Sequence, residues 1–219
     1  MYPGQDLICL GINYHEHAEE AERFSRESFG GERPYTIYFS KRVNRASAHE
    51  DPIPFYEGLV DSLDYEVELG VILGKDAFQV SKEEAGDCIF GYTIINDVSA
   101  RNLQTRHKQW YFGKSLDGFT PMGPCIVTKD ELDPKNLAIS CEINEELRQN
   151  SNTGLMICSP EEAIAELSAG MTLKAGSIIA TGTPSGVGLG FDPPKFLQPG
   201  DVVICRIEGI GVLRNRVEN

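Results

Sequence analysis

Two glutamates, Glu66 and Glu68, lie two residues apart in a segment that alternates between polar and apolar side chains. On a β-strand, residues i and i+2 point to the same face and are roughly 6.6–6.8 Å apart. The two carboxylates are then too far apart to share a proton, but flexible side chains can converge on one divalent cation at oxygen–metal distances near ~2.1 Å. The opposite face consists of Val67, Leu69, Val71 and Leu73. The alternative interpretation is a solvent-exposed strand face, which involves no metal.

A third acid, Asp97, follows an apolar run and precedes a segment of helical character. One interpretation is that it caps the start of that helix. Arg101 and Gln104 are three residues apart, so on a helix they share a face directed back toward Asp97. Three carboxylates without a nearby histidine or cysteine suit Mg²⁺ or Mn²⁺ better than Zn²⁺. Together with Glu66 and Glu68, Asp97 therefore predicts an oxygen-only metal site.

The segment 13–22 contains two histidines among four glutamates. As a helix, it pairs His17 with Glu20 at i,i+3 and His15 with Glu19 at i,i+4. A carboxylate bonded to one imidazole nitrogen orients the ring and raises its basicity, which is the arrangement of a general base. The alternative is an acidic, solvated amphipathic helix. A zinc site of the His-Glu-x-x-His type is excluded because the histidines are only two residues apart.

Two turn segments carry further polar groups. The glycine-rich stretch 181–188 follows an apolar strand, and its backbone amides could approach an anion closely, with the Thr183 hydroxyl beside them. Lys114 lies in a Gly-Lys-Ser sequence, but Lys108 occupies the place of the first P-loop glycine, so a nucleotide-binding loop is excluded. Lys114 is then either an exposed lysine or an electrophile for a developing enolate.

The elements that must position these residues are mostly strands. Short β-rich runs separated by Gly, Pro, Asp and Asn predict strands over 7–11, 36–40, 65–73, 91–96, 125–128, 138–143, 178–181 and 202–207. Helices are predicted over 14–27, 81–86, 99–108 and 160–169. Ser159 is the N-cap of the last helix, Glu162 completes its capping box and Gly170 ends it. Without strict βαβ alternation, this pattern predicts a mixed, β-rich α+β fold.

Composition limits the classes of partner. The 219 residues suffice for one large domain, and the 41% hydrophobic and 24% charged content is that of a soluble globular protein. A net charge of −13 makes nucleic acid and anionic membranes poor partners. No run of about 18 apolar residues predicts a membrane span, and no secretory signal is visible. Six scattered cysteines without a Cys-x-x-Cys pair favour buried free thiols in a reducing cytoplasm.

Taken in chain order, these motifs resemble the fumarylacetoacetate hydrolase family, in particular its single-domain acylpyruvase and oxaloacetate-decarboxylase-like members. The matching elements are Gly11-x-Asn13-Tyr14-x-x-His17-x-x-Glu20, Lys41, Asp64-Tyr65-Glu66-x-Glu68-Leu69, Asp97-x-x-Ala100-Arg101-x-x-Gln104, Gly113-Lys114-Ser115, Thr181-Gly182-Thr183-Pro184-x-Gly186-Val187-Gly188 and Glu208-Gly209-Ile210-Gly211. The resemblance runs from about residue 7 to residue 217. Each motif alone is weak, whereas the ordered set is specific.

The resemblance implies a single catalytic domain over 1–219, folded as a mixed β-sandwich roll with an N-terminal lid helix at about 13–30. The implied metal ligands are Glu66, Glu68 and Asp97. The implied catalytic residues are His17, Glu20 and Lys114, which selects this histidine pair over His15 and Glu19. The implied substrate-binding residues are Arg101, Gln104, Lys41 and Thr183. A cytoplasmic homodimer with Mg²⁺ or Mn²⁺ and a small anionic 2-oxo acid is expected.

The activity implied first is hydrolysis of a carbon–carbon bond in acylpyruvates. His17, assisted by Glu20, would deprotonate a water that attacks the 4-oxo carbon, and Lys114 would stabilise the departing enolate. Decarboxylation of oxaloacetate and tautomerisation or isomerisation of 2-hydroxy-dienoates use the same enolate and stay open as alternatives. A non-catalytic metabolite-binding protein is the competing class. The segment 24–34 is longer and more charged than the family pattern suggests, which predicts altered lid closure.

Overall fold

Two mixed β-sheets packed against each other form most of the protein. A computed structural model describes residues 6–24, 31 and 34–219. The six-stranded sheet has the order β2-β1-β11-β5-β6-β8, the five-stranded sheet has the order β10-β9-β12-β13-β3, and β4 pairs with β7. The strands are β1 (Asp6–Gly11), β2 (Ile37–Arg42), β3 (Pro52–Pro54), β4 (Leu63–Asp64), β5 (Val67–Leu73), β6 (Ile89–Asn96), β7 (Ser99–Ala100), β8 (Met122–Thr128), β9 (Ala138–Ile143), β10 (Glu146–Asn152), β11 (Ile178–Ala180), β12 (Val202–Ile207) and β13 (Gly211–Glu218).

The helices of the described residues are short and lie around the sheets. They are α1 (His15–Phe24), α2 (Lys82–Cys88), α3 (Arg101–Arg106), α4 (Tyr111–Lys114) and α5 (Pro160–Ser168). Single 3₁₀ turns occur at Pro134–Asn136, Thr153–Leu155 and Gly188–Gly190. The predicted capping box of α5 is confirmed, since Ser159 and Glu162 bond to each other's backbone amides. In the part of the chain described, no helix is long and apolar enough to cross a membrane.

The core lies between the two large sheets. Its members include Val67, Leu69 and Val71 from β5 together with Ile139 and Cys205 from the facing sheet. The apolar face predicted for the third strand is therefore confirmed. Every residue of β5 is buried, so both faces of this strand are covered by protein. The predicted β-rich α+β fold with mixed sheets and few helices is confirmed.

Some elements differ from the prediction. The predicted helix at 99–108 is shorter, because residues 99–100 pair with β4 and α3 begins only at Arg101. Strands β3, β10 and β13 have no counterpart in the prediction, although they complete the five-stranded sheet. Charged and polar side chains interrupt the apolar pattern in β10 and β13, which explains the omission. The predicted lid helix at about 13–30 is described only as far as Phe24, and residues 25–30 lie outside the described residues.

Candidate active site

Pairing between β5 and β6 brings the three acids together. Glu66 comes just before β5, Glu68 lies opposite Ile95 of β6, and Asp97 follows the last residue of β6. The Asp97 amide donates to the Glu66 carbonyl at 2.8 Å, which closes the end of this pair of strands. One carboxylate oxygen from each of the three acids lies within 4.8 Å of the others. The predicted cluster of Glu66, Glu68 and Asp97 therefore exists in the fold.

These acids are neither a solvated surface nor a helix cap. Glu66, Glu68 and Asp97 are 5%, 1% and 0% exposed. The backbone residue at the N-cap of α3 is Ala100, so the capping interpretation of Asp97 is wrong. Because burying several carboxylates costs much free energy unless cations compensate them, such a cluster indicates a site rather than a structural accident.

Each acid has one oxygen bonded to a donor from a distant part of the chain. Arg101 Nη1 lies 2.7 Å from Glu66 Oε1, and the Gly182 amide donates to Glu68 Oε2 at 2.8 Å. Lys41 Nζ donates to Asp97 Oδ1 at 2.5 Å. Gly182 has φ +88°, a left-handed conformation that favours glycine and turns its amide toward the acid. Three separate parts of the chain thus orient the three carboxylates.

Lys114 faces the second carboxylate oxygens of Glu66 and Asp97. Its ammonium donates to Glu66 Oε2 at 2.8 Å and to Asp97 Oδ2 at 2.6 Å. The side chain is buried, so the interpretation of Lys114 as an exposed surface lysine is wrong. Burial by itself lowers the pKa of this amine, but the charges of Asp97 and Glu66 raise it well above its usual range. Lys114 is consequently a fixed positive charge at the triad.

The charges within the cluster shift the pKa values of Glu66 and Glu68 in opposite directions. Burial raises the pKa of Glu66, but the nearby Lys114 and Arg101 charges outweigh it and lower that pKa to about 2. Burial and the charges of Asp97 and Glu66 raise the pKa of Glu68 well above its usual range. Among the described residues, Glu68 forms no ion pair, and its bonded donor is the uncharged Gly182 amide. A divalent cation at the triad would supply a positive charge, and three carboxylate oxygens are the ligands that Mg²⁺ and Mn²⁺ prefer.

The histidine pair predicted at i,i+3 is present on α1. His17 Nδ1 lies 2.9 Å from Glu20 Oε2, and both side chains are buried. The other Glu20 oxygen accepts a hydrogen bond from the Gly186 amide at 2.9 Å. His15 and Glu19 are exposed, so the i,i+4 pair lies away from the site. A carboxylate only accepts, so the hydrogen of neutral His17 is on Nδ1, and Nε2 is left to exchange a proton.

The turn after β11 supplies Thr183, whose hydroxyl is already engaged. Thr183 Oγ1 donates to the Val67 carbonyl at 2.9 Å and accepts from Gln149 Nε2 at 2.8 Å. Gln149 is oriented in turn by the Val67 amide, which donates to its Oε1. Since the single hydroxyl hydrogen is used, Thr183 can only accept a hydrogen bond from a further group. Its hydroxyl therefore has no hydrogen left for an anion, and of the two neighbouring residues Gly182 donates its amide hydrogen to Glu68 and Pro184 has none.

One cavity joins two acids of the triad, Glu66 and Glu68, to the histidine, whereas Asp97 does not line it. The cavity measures about 380 Å³, including the open space at its mouth. Its polar lining consists of His17, Glu66, Glu68, Arg101, Gln104, Lys114 and Thr183. Its apolar lining includes Ile12, Ala21, Phe39, Trp110 and Leu189. Lys41, which the resemblance places in the substrate pocket, is not among the lining residues.

Arg101, which lines this cavity, has one nitrogen that donates no hydrogen bond to the described residues. Its Nε and Nη1 are bonded to Asp64, Gln104 and Glu66. Its Nη2 is buried without a hydrogen-bond partner among the described residues. A buried guanidinium nitrogen without a partner carries a free-energy cost, which an anionic ligand would relieve. The predicted proximity of Arg101 and Gln104 is confirmed, since Arg101 Nη1 donates to Gln104 Oε1 at 3.0 Å.

Comparison with known proteins agrees with this geometry. The model of the C-terminal domain of fumarylacetoacetate hydrolase matches residues 6–218. The chain belongs to the fumarylacetoacetate hydrolase family. Within this family, the oxaloacetate tautomerase YisK of Bacillus subtilis (strain 168) is 47% identical over 216 residues, which cover 98% of this chain and 70% of that protein.

Solved structures of the family share the fold. Fumarylacetoacetate hydrolase from psychrophilic Exiguobacterium antarcticum aligns with a TM-score of 0.88 and 44% identity, over 99% of this chain and 76% of that chain. Fumarylpyruvate hydrolase from Pseudomonas aeruginosa, in complex with Mn²⁺ and pyruvate, aligns with a TM-score of 0.85 and 29% identity, over 99% of this chain and 90% of that chain. The named relatives are thus enzymes for small organic acids, and one of them holds a divalent metal.

Asp64 and Gln149 both position residues of the site, although no role was predicted for either of them from the sequence. Asp64 accepts hydrogen bonds from Arg101 Nε and from the Gly188 and Leu189 amides, so it joins the loop below α1 to the acid cluster. Its place in the family motif was the only available signal. Gln149 lies in a strand that the sequence did not reveal, so no signal in the sequence connected it to Thr183.

Proposed function

We propose that this protein is a divalent-metal-dependent enzyme that moves a proton on a small enolisable 2-oxo acid, with keto–enol tautomerisation of an oxaloacetate-like acid as its first candidate reaction. One observation carries the proposal: His17, with Nε2 available for a proton, lines the same cavity as Glu66 and Glu68 of the carboxylate triad, together with Lys114 and Arg101. The 47% identity to an oxaloacetate tautomerase supports this choice of reaction.

In this proposal the metal ligands are Glu66, Glu68 and Asp97. A Mg²⁺ or Mn²⁺ ion held there would supply Lewis-acid stabilisation of negative charge on the substrate oxygens. The three acids leave about half of an octahedral shell for water and substrate. Either ion suits the donor set, and titration calorimetry on the wild type and on D97A tests the site. The expected result is a loss of binding in D97A, and equal affinity in the two proteins would contradict the assignment.

The protein's own groups divide the remaining work. In the keto-to-enol direction, His17 Nε2 takes the proton from the substrate carbon next to the 2-oxo group, and the Glu20 carboxylate stabilises the imidazolium that forms. The imidazolium then gives this proton, directly or through a water, to the 2-oxo oxygen, which completes the enol and restores neutral His17. The enol-to-keto direction follows the same steps in reverse. Lys114 offsets the negative charge that develops on the substrate oxygen. The unpartnered Arg101 Nη2 binds the substrate carboxylate, with Gln104 beside it. Thr183 orients the substrate or a water as a hydrogen-bond acceptor.

Hydrolysis of an acylpyruvate is the second candidate. The same His17 nitrogen would then deprotonate a water, which attacks the 4-oxo carbon before the pyruvate part leaves. The apolar wall of Ile12, Ala21, Phe39, Trp110 and Leu189 favours this substrate class, since it fits an uncharged acyl chain. Similarity to a fumarylpyruvate hydrolase that binds Mn²⁺ and pyruvate also supports it.

A substrate panel distinguishes these reactions and the non-catalytic alternative. Enol-oxaloacetate, acetylpyruvate and fumarylpyruvate are each incubated with the protein plus Mn²⁺, plus Mg²⁺ or plus a chelator. Loss of the enol absorbance without formation of pyruvate indicates tautomerisation. Pyruvate formed with release of CO₂ indicates decarboxylation, and pyruvate formed with a second carboxylic acid indicates hydrolysis. If no substrate turns over with either metal, the enzyme proposal is wrong.

We further propose that α1 acts as a lid over the cavity and that the single catalytic domain functions as a cytoplasmic homodimer. Two contacts dock α1 on the loop after β11: the Gly186 amide donates to Glu20, and the Ser185 hydroxyl donates to Glu16. All six cysteines are free, as a reducing compartment requires, although Cys125 is exposed rather than buried. Light scattering tests the dimer, for which a monomer mass would be the contradicting result.

A further inference from the structure

Lys41 lies behind the acid cluster, on strand β2 of the six-stranded sheet. Its side chain is 0% exposed, and its ammonium has three acceptors. These are Asp97 Oδ1 at 2.5 Å, the Phe119 carbonyl at 2.5 Å and the Val98 carbonyl at 3.2 Å. A lysine ammonium has three hydrogens and no acceptor, so this set uses every donor that Lys41 has.

This saturation excludes direct contact with substrate. Lys41 does not line the cavity, and a substrate group would have to displace one of its three partners. Lys114, in contrast, lines the cavity, and its ammonium donates hydrogen bonds to Glu66 and Asp97 of the triad. The two buried lysines bonded to Asp97 therefore have different positions. Lys41 contacts the acid on the side away from the cavity, and Lys114 lies in the cavity wall.

We infer that Lys41 is a positioning residue that fixes the orientation of Asp97 in the metal site. Lys41 bonds to Oδ1, which leaves Oδ2 as the Asp97 oxygen on the side of Glu66 and Lys114. Its bond to the Val98 carbonyl fixes the backbone next to the acid, so both the position and the rotation of the carboxylate are set. This inference rests on the proposed metal site and assigns Lys41 a task other than substrate binding.

The geometry of the metal site gives a reason for such a residue. A Mg²⁺ or Mn²⁺ site needs its ligands near octahedral positions, and a residue that orients a ligand typically changes metal affinity by 10–100-fold. Glu66 and Glu68 are oriented in a comparable way by Arg101 and the Gly182 amide. Without Lys41, Asp97 could rotate toward Lys114, its other cationic partner. Metal affinity should then fall even though all three ligands are still present.

The test compares K41M and K41Q with wild type and with the core variant I53A. Met approximates the length of the lysine chain without its donors, and Gln keeps a donor on a shorter, uncharged chain. Ile53 is fully buried in the core and does not line the cavity, so I53A is the control for a loss of stability alone. Only proteins with the near-ultraviolet circular dichroism of the wild type are titrated with Mn²⁺ by calorimetry, and bound Mn²⁺ is examined by electron paramagnetic resonance.

The expected result is that K41M binds Mn²⁺ at least tenfold more weakly, with a changed zero-field splitting of the bound ion, while I53A keeps wild-type affinity and spectrum. K41Q is expected to lose affinity in the same direction. Wild-type affinity in a folded K41M or K41Q protein would overturn the inference, and so would an equal loss in I53A. If the wild type itself does not bind Mn²⁺, the proposed metal site fails, which is a distinguishable outcome.

Discussion

Replacing Glu20 by Gln tests the proposed proton-transfer pair. The substitution keeps the shape of the side chain and a hydrogen-bond acceptor for His17 Nδ1, but removes the negative charge 2.9 Å from the ring. The imidazolium formed during proton transfer then loses its counterion. A unit charge pair at about 4 Å with an effective dielectric constant of about 20 is worth about 4 kcal/mol. The Gly186 amide already offsets part of the charge on Glu20, so this figure is an upper bound.

Because each 1.36 kcal/mol changes a rate tenfold, we expect E20Q to lower kcat by about 10²–10³-fold. Affinity for Mn²⁺ should stay the same, since Glu20 does not belong to the triad. The assay is initial-rate turnover of the best substrate from the panel, at saturating Mn²⁺, together with calorimetry of the metal. If Glu20 only positioned the His17 ring, E20Q would lower kcat by less, because Gln still contacts the imidazole.

E16Q is the matched control for this experiment. Glu16 lies on the same helix and is bonded to Ser185 of the same loop, but it is exposed. It therefore shares the docking role of Glu20 without a bond to His17. We expect E16Q to stay within about threefold of the wild-type kcat. Equal rates in E20Q and E16Q, or a rate in E20Q within twofold of the wild type, would refute the role of the pair.

Three further predictions concern the loop after β11, a helix cap and the metal. In G190A the new methyl group would collide with the Glu20 carboxylate, so we expect turnover to fall about tenfold with unchanged Mn²⁺ affinity, whereas G170A, with open space around it, should resemble the wild type. Hydrogen bonds from Lys82 and from the start of α5 lower the pKa of Glu162 to about 2. The Glu162 carboxylate therefore stabilises the protein above its ordinary pKa, and this stabilisation is lost as the pH falls toward 2. The wild type should melt at a higher temperature than E162A at pH 4.5 and above, and the difference in Tm should disappear between about pH 4.5 and pH 2. Mn²⁺ at 100 times its Kd should stabilise the protein by about 2.7 kcal/mol, and a chelator should reverse the rise in Tm. An unchanged Tm with Mn²⁺ would contradict the metal site.

Local patterns predicted several elements well. The capping box at Ser159 and Glu162 and the i,i+3 pair of His17 and Glu20 depend on neighbours within one helical turn, so the sequence alone contains the needed information. The apolar alternation in β5 likewise follows from the period of a strand. Elements with mixed polar and apolar residues, such as β10 and β13, are stabilised mainly by their partners in the sheet and escaped prediction.

The environment of the charged residues depended on long-range contacts. Periodicity could not show that the second face of β5, which carries Glu68, is buried, because that face is covered by residues far away in the chain. The local sequence around Lys114 is compatible with an exposed or a buried side chain. Its burial results from the packing of α4 against the acid cluster. The resemblance implies a substrate-binding role for Lys41, whereas we infer a positioning role from its bonds to Asp97 and to two backbone carbonyls.

The sequence by itself determined which residues could form the site: two acids at strand spacing, a third acid after the next strand, and a histidine with its carboxylate on one helix. These are short-range properties, fixed by the geometry of a strand or a helical turn. The tertiary structure decided how they meet. The register of β5 against β6 brings Asp97 beside Glu66, and the Gly182 amide reaches Glu68 from 114 residues away. Such contacts depend on packing of the whole chain, which no local pattern encodes.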